Sequence, residues 1–177
     1  MKKLQKLLLI LSSFFPFLSF AQSVALDGYK DLKFGMTYQQ ISNSKLCSSW
    51  EYYQPLNSYK CKQFLFNGSP REANAYFNGQ AFNSIAIDIL SYNQERKPLP
   101  HEVQEVKDIL NGLAQKYGNP TKLVCGADYE RANQACNVDF TDHWMVEFLN
   151  GQIRLVHSLN QWILLVYSNS KTILDSL

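Results

Sequence analysis

The sequence predicts an α+β protein made of two tandem helix-plus-antiparallel-sheet units, each with one disulfide-closed loop. Three observations predict it. The N-terminus has the form of an export leader, which puts the rest of the chain where cysteines pair. The four cysteines fall two by two into the two halves. Each half opens with a helical pattern and continues with alternating, strand-like patterns.

Lys2, Lys3 and Lys6 precede an apolar run from Leu7 to Phe20, and Ser19-Phe20-Ala21 supplies small residues before Gln22. This is the three-part pattern of a signal peptide cut after residue 21. The run is short for a membrane span of about 20 residues and contains Pro16. No Cys follows the cut, so the expectation is a soluble periplasmic protein without a lipid anchor. Units are then expected at residues 22–97 and 98–177, packed as one body. The chain has 177 residues, 46% of them hydrophobic and 18% charged, which excludes a disordered tail or a coiled coil. Without the three leader lysines the formal charge changes from +2 to −1. A basic nucleic-acid binder is therefore not indicated.

Four cysteines allow three pairings. Cys47–Cys61 and Cys125–Cys136 are favoured, because each closes a short polar loop that stabilises by roughly 3 kcal/mol. Zinc is the rival use, but no Cys-x-x-Cys is present and the histidines are scattered.

In the first half, Thr37 and Gln40 have the spacing of a capping box, flanked by Met36 and Ile41 as a staple. The helix is expected from Tyr38 to about Lys45. Strands are expected at 61–66, 73–77 and 82–91, with Asn67-Gly68 and Asn78-Gly79 marking turns. A strict two-residue turn at Asn78-Gly79 pairs Glu72 with Ile85, so a longer loop or a bulge is expected there. The second half starts after Lys97-Pro98-Leu99-Pro100. Val103, Val106, Leu110, Leu113, Ala114 and Tyr117 form a helical stripe that Gly118 and Pro120 end. Strands follow at 121–125 and 136–141. A hairpin around Asn150-Gly151 then sets Phe148 against Ile153, Glu147 against Arg154, Val146 against Leu155 and Trp144 against His157. A last strand covers 162–168. Phe77-Asn78-Gly79-Gln80 is echoed by Leu149-Asn150-Gly151-Gln152, as a duplication would leave.

Phe34-Gly35-Met36-Thr37-Tyr38-Gln39-Gln40-Ile41 resembles the Gly-Met-Thr-x-x-Gln-Val helix start of small envelope proteins of the BamE/SmpA type. Gly118-Asn119-Pro120 and Phe77-Asn78-Gly79-Gln80-Ala81-Phe82 are similar to two further turns of that family. The chain departs from it in having no lipid-attachment Cys, four cysteines and roughly double the length. A tandem architecture with one disulfide per half is similar to β-lactamase inhibitor proteins. The resemblance implies a non-enzymatic envelope protein that binds another protein, without transferring a target.

Catalysis needs a nucleophile, a base and an orienting group. The sequence has no Gly-x-Ser-x-Gly elbow, no phosphate loop and no dinucleotide fingerprint. His101 reads as a solvated flank and His157 as packing against Trp144. His143, with Asp139 and Asp142 nearby, is the best acid/base or metal cluster, and a small periplasmic hydrolase or metal-dependent enzyme centred on it is the alternative reading. The segment Ser48–Lys60 is the candidate binding loop. Its Trp50, Tyr52, Tyr53 and Tyr59 offer rigid amphipathic area among small polar residues, as binding loops do, and the flanking disulfide would pre-organise them. Asp128, Tyr129, Glu130 and Arg131 offer a second, charged edge. The expected function is binding of another envelope or secreted protein, as an inhibitor, an immunity protein or an assembly accessory, with no enzyme activity, cofactor, metal or nucleic acid. A small apolar ligand or peptidoglycan fragment held between sheet and helices is a third reading, which needs a cavity.

Overall fold

A computed structural model describes residues 26–92, 97–126, 131–132, 136, 138, 140–159 and 161–169. The leader, Asp128 to Glu130 and Asp139 lie outside them. Among the described residues the chain is mostly β, which overturns the expected pair of α+β units. One antiparallel sheet of nine strands runs in the order β3-β4-β5-β6-β11-β10-β9-β7-β8, and a two-stranded ribbon joins β1 (Gly28–Tyr29) to β2 (Leu32–Lys33). The first-half strands are β3 (Glu51–Tyr53), β4 (Ser58–Phe66), β5 (Ser69–Asn78) and β6 (Ala81–Ser91). The others are β7 (Lys122–Cys125), β8 (Arg131–Ala132), β9 (Trp144–Phe148), β10 (Ile153–Ser158) and β11 (Trp162–Ser168).

The physical reason for the correction lies in the seam between β6 and β11. These strands pair antiparallel from Ser84↔Ser168 to Ser91↔Trp162, so both halves contribute to one hydrogen-bonded sheet. β6 is buried along most of its length. Leaving it as an edge would expose its backbone donors and acceptors, and β11 satisfies them instead.

Side-chain alternation divides the sheet into two faces. On the inner face one row runs Tyr59, Ala75, Ile85, Tyr167, Ile153, Phe148, and the next runs Cys61, Ala73, Ile87, Leu165, Leu155, Val146. The two α-helices join the core built on this face: α1 (Tyr38–Ser42) through Ile41, and α2 (Pro100–Tyr117) through Val106, Ile109 and Leu113. An ion pair between Arg71 on β5 and Glu105 on α2 ties the long helix to the sheet.

The helix starts follow from their caps. Thr37 accepts from the Gln40 N–H while the Gln40 side chain accepts from the Thr37 N–H, the expected capping box. The helix ends at Ser42 rather than Lys45, with Asn43 as its last cap. At α2 the Glu102 carboxylate accepts from the Leu99 N–H at 2.7 Å, and Pro100 fills the first turn. Gly112, inside α2, has nothing within 4 Å of where a Cβ would sit. Gly112→Ala is therefore expected to stabilise the fold by about 1 kcal/mol, since Ala has the higher helix propensity and meets no clash. A higher urea midpoint with an unchanged slope would show it.

The β9–β10 hairpin has the expected register: Phe148 opposes Ile153, Glu147 opposes Arg154, Val146 opposes Leu155 and Trp144 opposes His157. Asn150 and Gly151 both have positive φ, as a turn matched to strand twist requires. The β5–β6 hairpin carries the expected bulge, with Phe77 opposite Phe82 but Tyr76 opposite Ser84. The strand expected at 136–141 does not form at residues 136, 138, 140 or 141.

Candidate functional site

The candidate binding loop is the outer end of the sheet, and the Cys47–Cys61 disulfide holds it from below. Both sulfurs are buried, and the Leu65 N–H donates to the Leu46 carbonyl at 2.7 Å, so the segment after α1 is fastened to β4 twice. From that anchor the chain turns back as β3, which pairs with β4 as Glu51↔Lys60, Tyr52↔Tyr59 and Tyr53↔Ser58. The connection is a 3-10 turn over Gln54–Leu56 that begins with Pro55 in its first positions. Asn57 closes it in the left-handed conformation, which Asn tolerates better than most residues. The Tyr52 hydroxyl donates to the Asn57 side-chain oxygen at 2.9 Å and fixes the turn from above.

The predicted aromatic residues separate into two groups. Trp50 is only 6% exposed and packs its ring on Phe64, 6.1 Å between centroids, so it belongs to the core. Tyr52 and Tyr53 are 58% and 39% exposed. They stand on opposite faces of β3, because successive side chains of a strand alternate. Tyr59 is half-buried between Tyr52 and the core. It stacks on Tyr38 at 4.0 Å and meets Tyr52 and Phe77 edge-on at 5.6 and 5.4 Å. Phe77 continues to Phe82, and Phe82 to Phe34. The result is a connected row of rings from solvent to core.

Tyr38 and Leu56, 37% and 40% exposed, enlarge the patch. Tyr38 is the first residue of α1, and its hydroxyl donates to the Trp50 carbonyl at 3.2 Å. Its position beside the cap was the available signal, because Ile41 takes the inward-facing place on that short helix. Charges surround the rings in pairs: Lys60 with Glu72 at 2.6 Å and Lys62 with Glu51 at 3.2 Å. The Lys60 ammonium also lies 5.7 Å from the Tyr53 ring centre. Apolar rings framed by paired charges suit contact with a protein surface.

The second loop is closed by Cys125–Cys136 as expected. Arg131 begins β8, while Asp128, Tyr129 and Glu130 lie outside the described residues.

His157 is fully buried. Its Nδ1 donates to the Asp142 carbonyl at 2.6 Å, so its Nε2 is free to accept from the Tyr92 hydroxyl. Trp144 and Phe140 lie 5.2 and 5.5 Å from the imidazole. This histidine ties the β9–β10 region together. The Nδ1 of His143 accepts from the Leu159 N–H at 3.4 Å, and the His143 N–H donates to the Asp142 carboxylate at 2.9 Å. The proposed partner Asp139 lies outside the described residues, among which no three His, Cys, Asp or Glu side chains gather around a common point.

Residues 29–176 match a family model that is described only as "Uncharacterised protein". An uncharacterized protein of Pasteurella multocida (strain Pm70) is 29% identical over 128 residues, which is 67% of this chain. The matched part spans 59% of that relative's length. No solved structure matches. Among the described residues, no helix is long and apolar enough to cross a membrane.

Proposed function

We propose that this chain, which belongs to the family of uncharacterised proteins matched by its residues 29–176, is a non-enzymatic module that binds another protein in the bacterial cell envelope. The β3–β4 edge supplies the contact. The observation that carries this reading is the exposure of Tyr52, Tyr53 and Leu56 on a hairpin held by a disulfide, with Tyr38 of α1 and Tyr52 both packed on Tyr59 beside it. Large apolar side chains in water are a cost to an isolated protein and a resource at an interface, where Tyr is enriched among the residues that dominate affinity. Anchoring by Cys47–Cys61 and by the Tyr38 and Tyr52 hydroxyls lowers the ordering cost of association.

Export supports the same reading. Two disulfides are present, and such bonds persist in oxidising compartments. The charged and apolar N-terminus supplies the route, with the periplasm as destination. The partner is then an envelope or secreted protein, and an inhibitor, an immunity protein or an assembly accessory would each use such a surface.

The test is a pull-down from periplasmic extract with wild type and Tyr52→Ala/Tyr53→Ala. Because both rings are exposed, the double variant should stay folded and lose only about 1 kcal/mol of stability with the Tyr52–Asn57 hydrogen bond. It should nevertheless lose a partner that wild type retains, with about 2 kcal/mol of binding lost if either ring is a hot spot. Equal recovery of the same partner by both proteins would remove this edge from the function.

A further inference from the structure

An open groove of about 830 Å³ runs between α2, the β1–β2 ribbon and the inner face of the sheet. Its volume lies within the roughly 300–1,000 Å³ of small-molecule sites. Tyr29, Phe66, Leu165 and Tyr167 form one side, and Ile109 and Leu113 of α2 stand opposite. Of the β3–β4 hairpin only Phe66, at the far end of β4, lines it, and none of Tyr52, Tyr53 and Leu56 does.

Three features distinguish this groove. The first is Tyr29. It is 7% exposed, its ring lies 4.9 Å from that of Tyr167, and its hydroxyl has no hydrogen-bond partner. Buried hydroxyls are normally satisfied. Burial pushes this phenol up to about 12, so it remains a donor at neutral pH and calls for an acceptor.

The second is the charge at the mouth. Asp27 and Lys33 are paired at 2.8 Å, and Glu105 is engaged by Arg71. Asp108 accepts from the Gln104 amide at 2.8 Å. Lys30 and Lys116 form no ion pair among the described residues. Their ammonium groups rest over the rings of Tyr29 and Tyr117, at 5.3 and 4.8 Å from the centroids. The two elements meet electrostatically: Lys33 chiefly, and Lys116 to a lesser degree, hold the Asp27 carboxyl below its ordinary range. With the Asp27–Lys33 and Glu105–Arg71 pairs cancelled, Lys30 and Lys116 stand against the Asp108 carboxylate alone, so the net charge left at this mouth is positive.

The third is Gly112. A glycine inside a helix costs stability, yet this one lines the groove with open space where a side chain would go. A bulky side chain there would have room to project into the groove.

We propose that the groove binds an elongated amphipathic monoanion: an apolar chain that enters between α2 and the buried wall of Tyr29, Phe66, Leu165 and Tyr167, parting them slightly, and ends in one carboxylate held by Lys30 and Lys116. The Lys30 chain covers the Tyr29 ring, so drawing its ammonium onto the ligand opens that phenol to the ligand's oxygen. A dianionic head is disfavoured, because Asp27 and Asp108 line the same groove and repel a second negative charge.

Calorimetric titration of the purified protein tests this with dodecanoate, dodecanol and dodecyl phosphate. Dodecanoate should bind at one site, and dodecanol and dodecyl phosphate about tenfold or more weakly, as the loss of charge-assisted contacts or added repulsion requires. Lys30→Ala/Lys116→Ala should bring dodecanoate down to the level of dodecanol. Gly112→Trp should abolish binding of all three while the far-ultraviolet circular dichroism and the urea midpoint remain those of a folded protein. Absence of saturable binding, undiminished binding to a folded Gly112→Trp, or dodecanol or dodecyl phosphate equalling dodecanoate would each overturn the proposal. None of these variants touches Tyr52 or Tyr53, so the groove and the protein-binding edge stand or fall separately.

Discussion

Trp144→Ala is expected to lower the unfolding free energy by about 3–5 kcal/mol, the range for removing a large buried aromatic side chain. Trp144 is fully buried in β9, between Cys125 on β7 and His157 on β10. Its loss removes more than apolar area. The Trp144 ring lies 5.2 Å from the imidazole of His157, whose two nitrogens are bonded to Asp142 and Tyr92. A void beside that imidazole loosens the contact between the β9–β10 hairpin and the chain at Tyr92. Since small domains are stable by only about 5–15 kcal/mol in total, a large share of the stability is at stake. Urea unfolding of wild type, Trp144→Ala and Trp144→Phe measures it, and Phe should recover part of the loss. A deficit below about 1 kcal/mol for the Ala variant would mean that the neighbouring side chains close the void.

Cys47→Ala/Cys61→Ala is expected to cost about 3 kcal/mol, because the bond closes a loop of sequence separation 14 and restricts the unfolded chain accordingly. Both cysteines are buried in the core, so the double variant also loses packing. Equilibrium unfolding of the variant, compared with oxidised and reduced wild type, tests the claim. The variant and reduced wild type should unfold earlier than oxidised wild type. If all three coincide, the bridge contributes nothing and the edge owes its order to β4 alone. Because this bridge anchors the turn that presents Tyr52 and Tyr53, the same variant should weaken partner binding at temperatures where it is still folded.

The parts of the fold legible in the sequence are those in which two local signals agree. At β9–β10 the Asn150-Gly151 turn and the cross-strand pairs demand one register, and the chain adopts it. At β5–β6 the signals disagreed by one residue, and a bulge absorbs the difference. The sheet seam between the halves was not legible. Alternation tells which way a side chain points, but not which distant strand it will lie beside, and β6 with β11 is such a pairing. The two-residue strands β1, β2 and β8 and the three-residue β3 are too short for any periodicity. The candidate surface was legible as composition and incomplete as geometry. A Trp among tyrosines does not announce that it faces inward, whereas contact with Phe64 does. Tyr38 is remote in sequence, and only the fold brings it against Tyr59.

The two outermost strands of the large sheet are two and three residues long. Beyond β3, the β4 strand swells between Cys61 and Phe64 and carries Lys62 there. A neighbouring copy seeking to add its own strand meets that bulge, the Lys62–Glu51 ion pair and the bond from Leu65 to Leu46 where it would have to dock. Fibril growth from this side is thereby discouraged. A visitor must instead grip side chains, whose identity can be tuned one residue at a time without disturbing the backbone beneath.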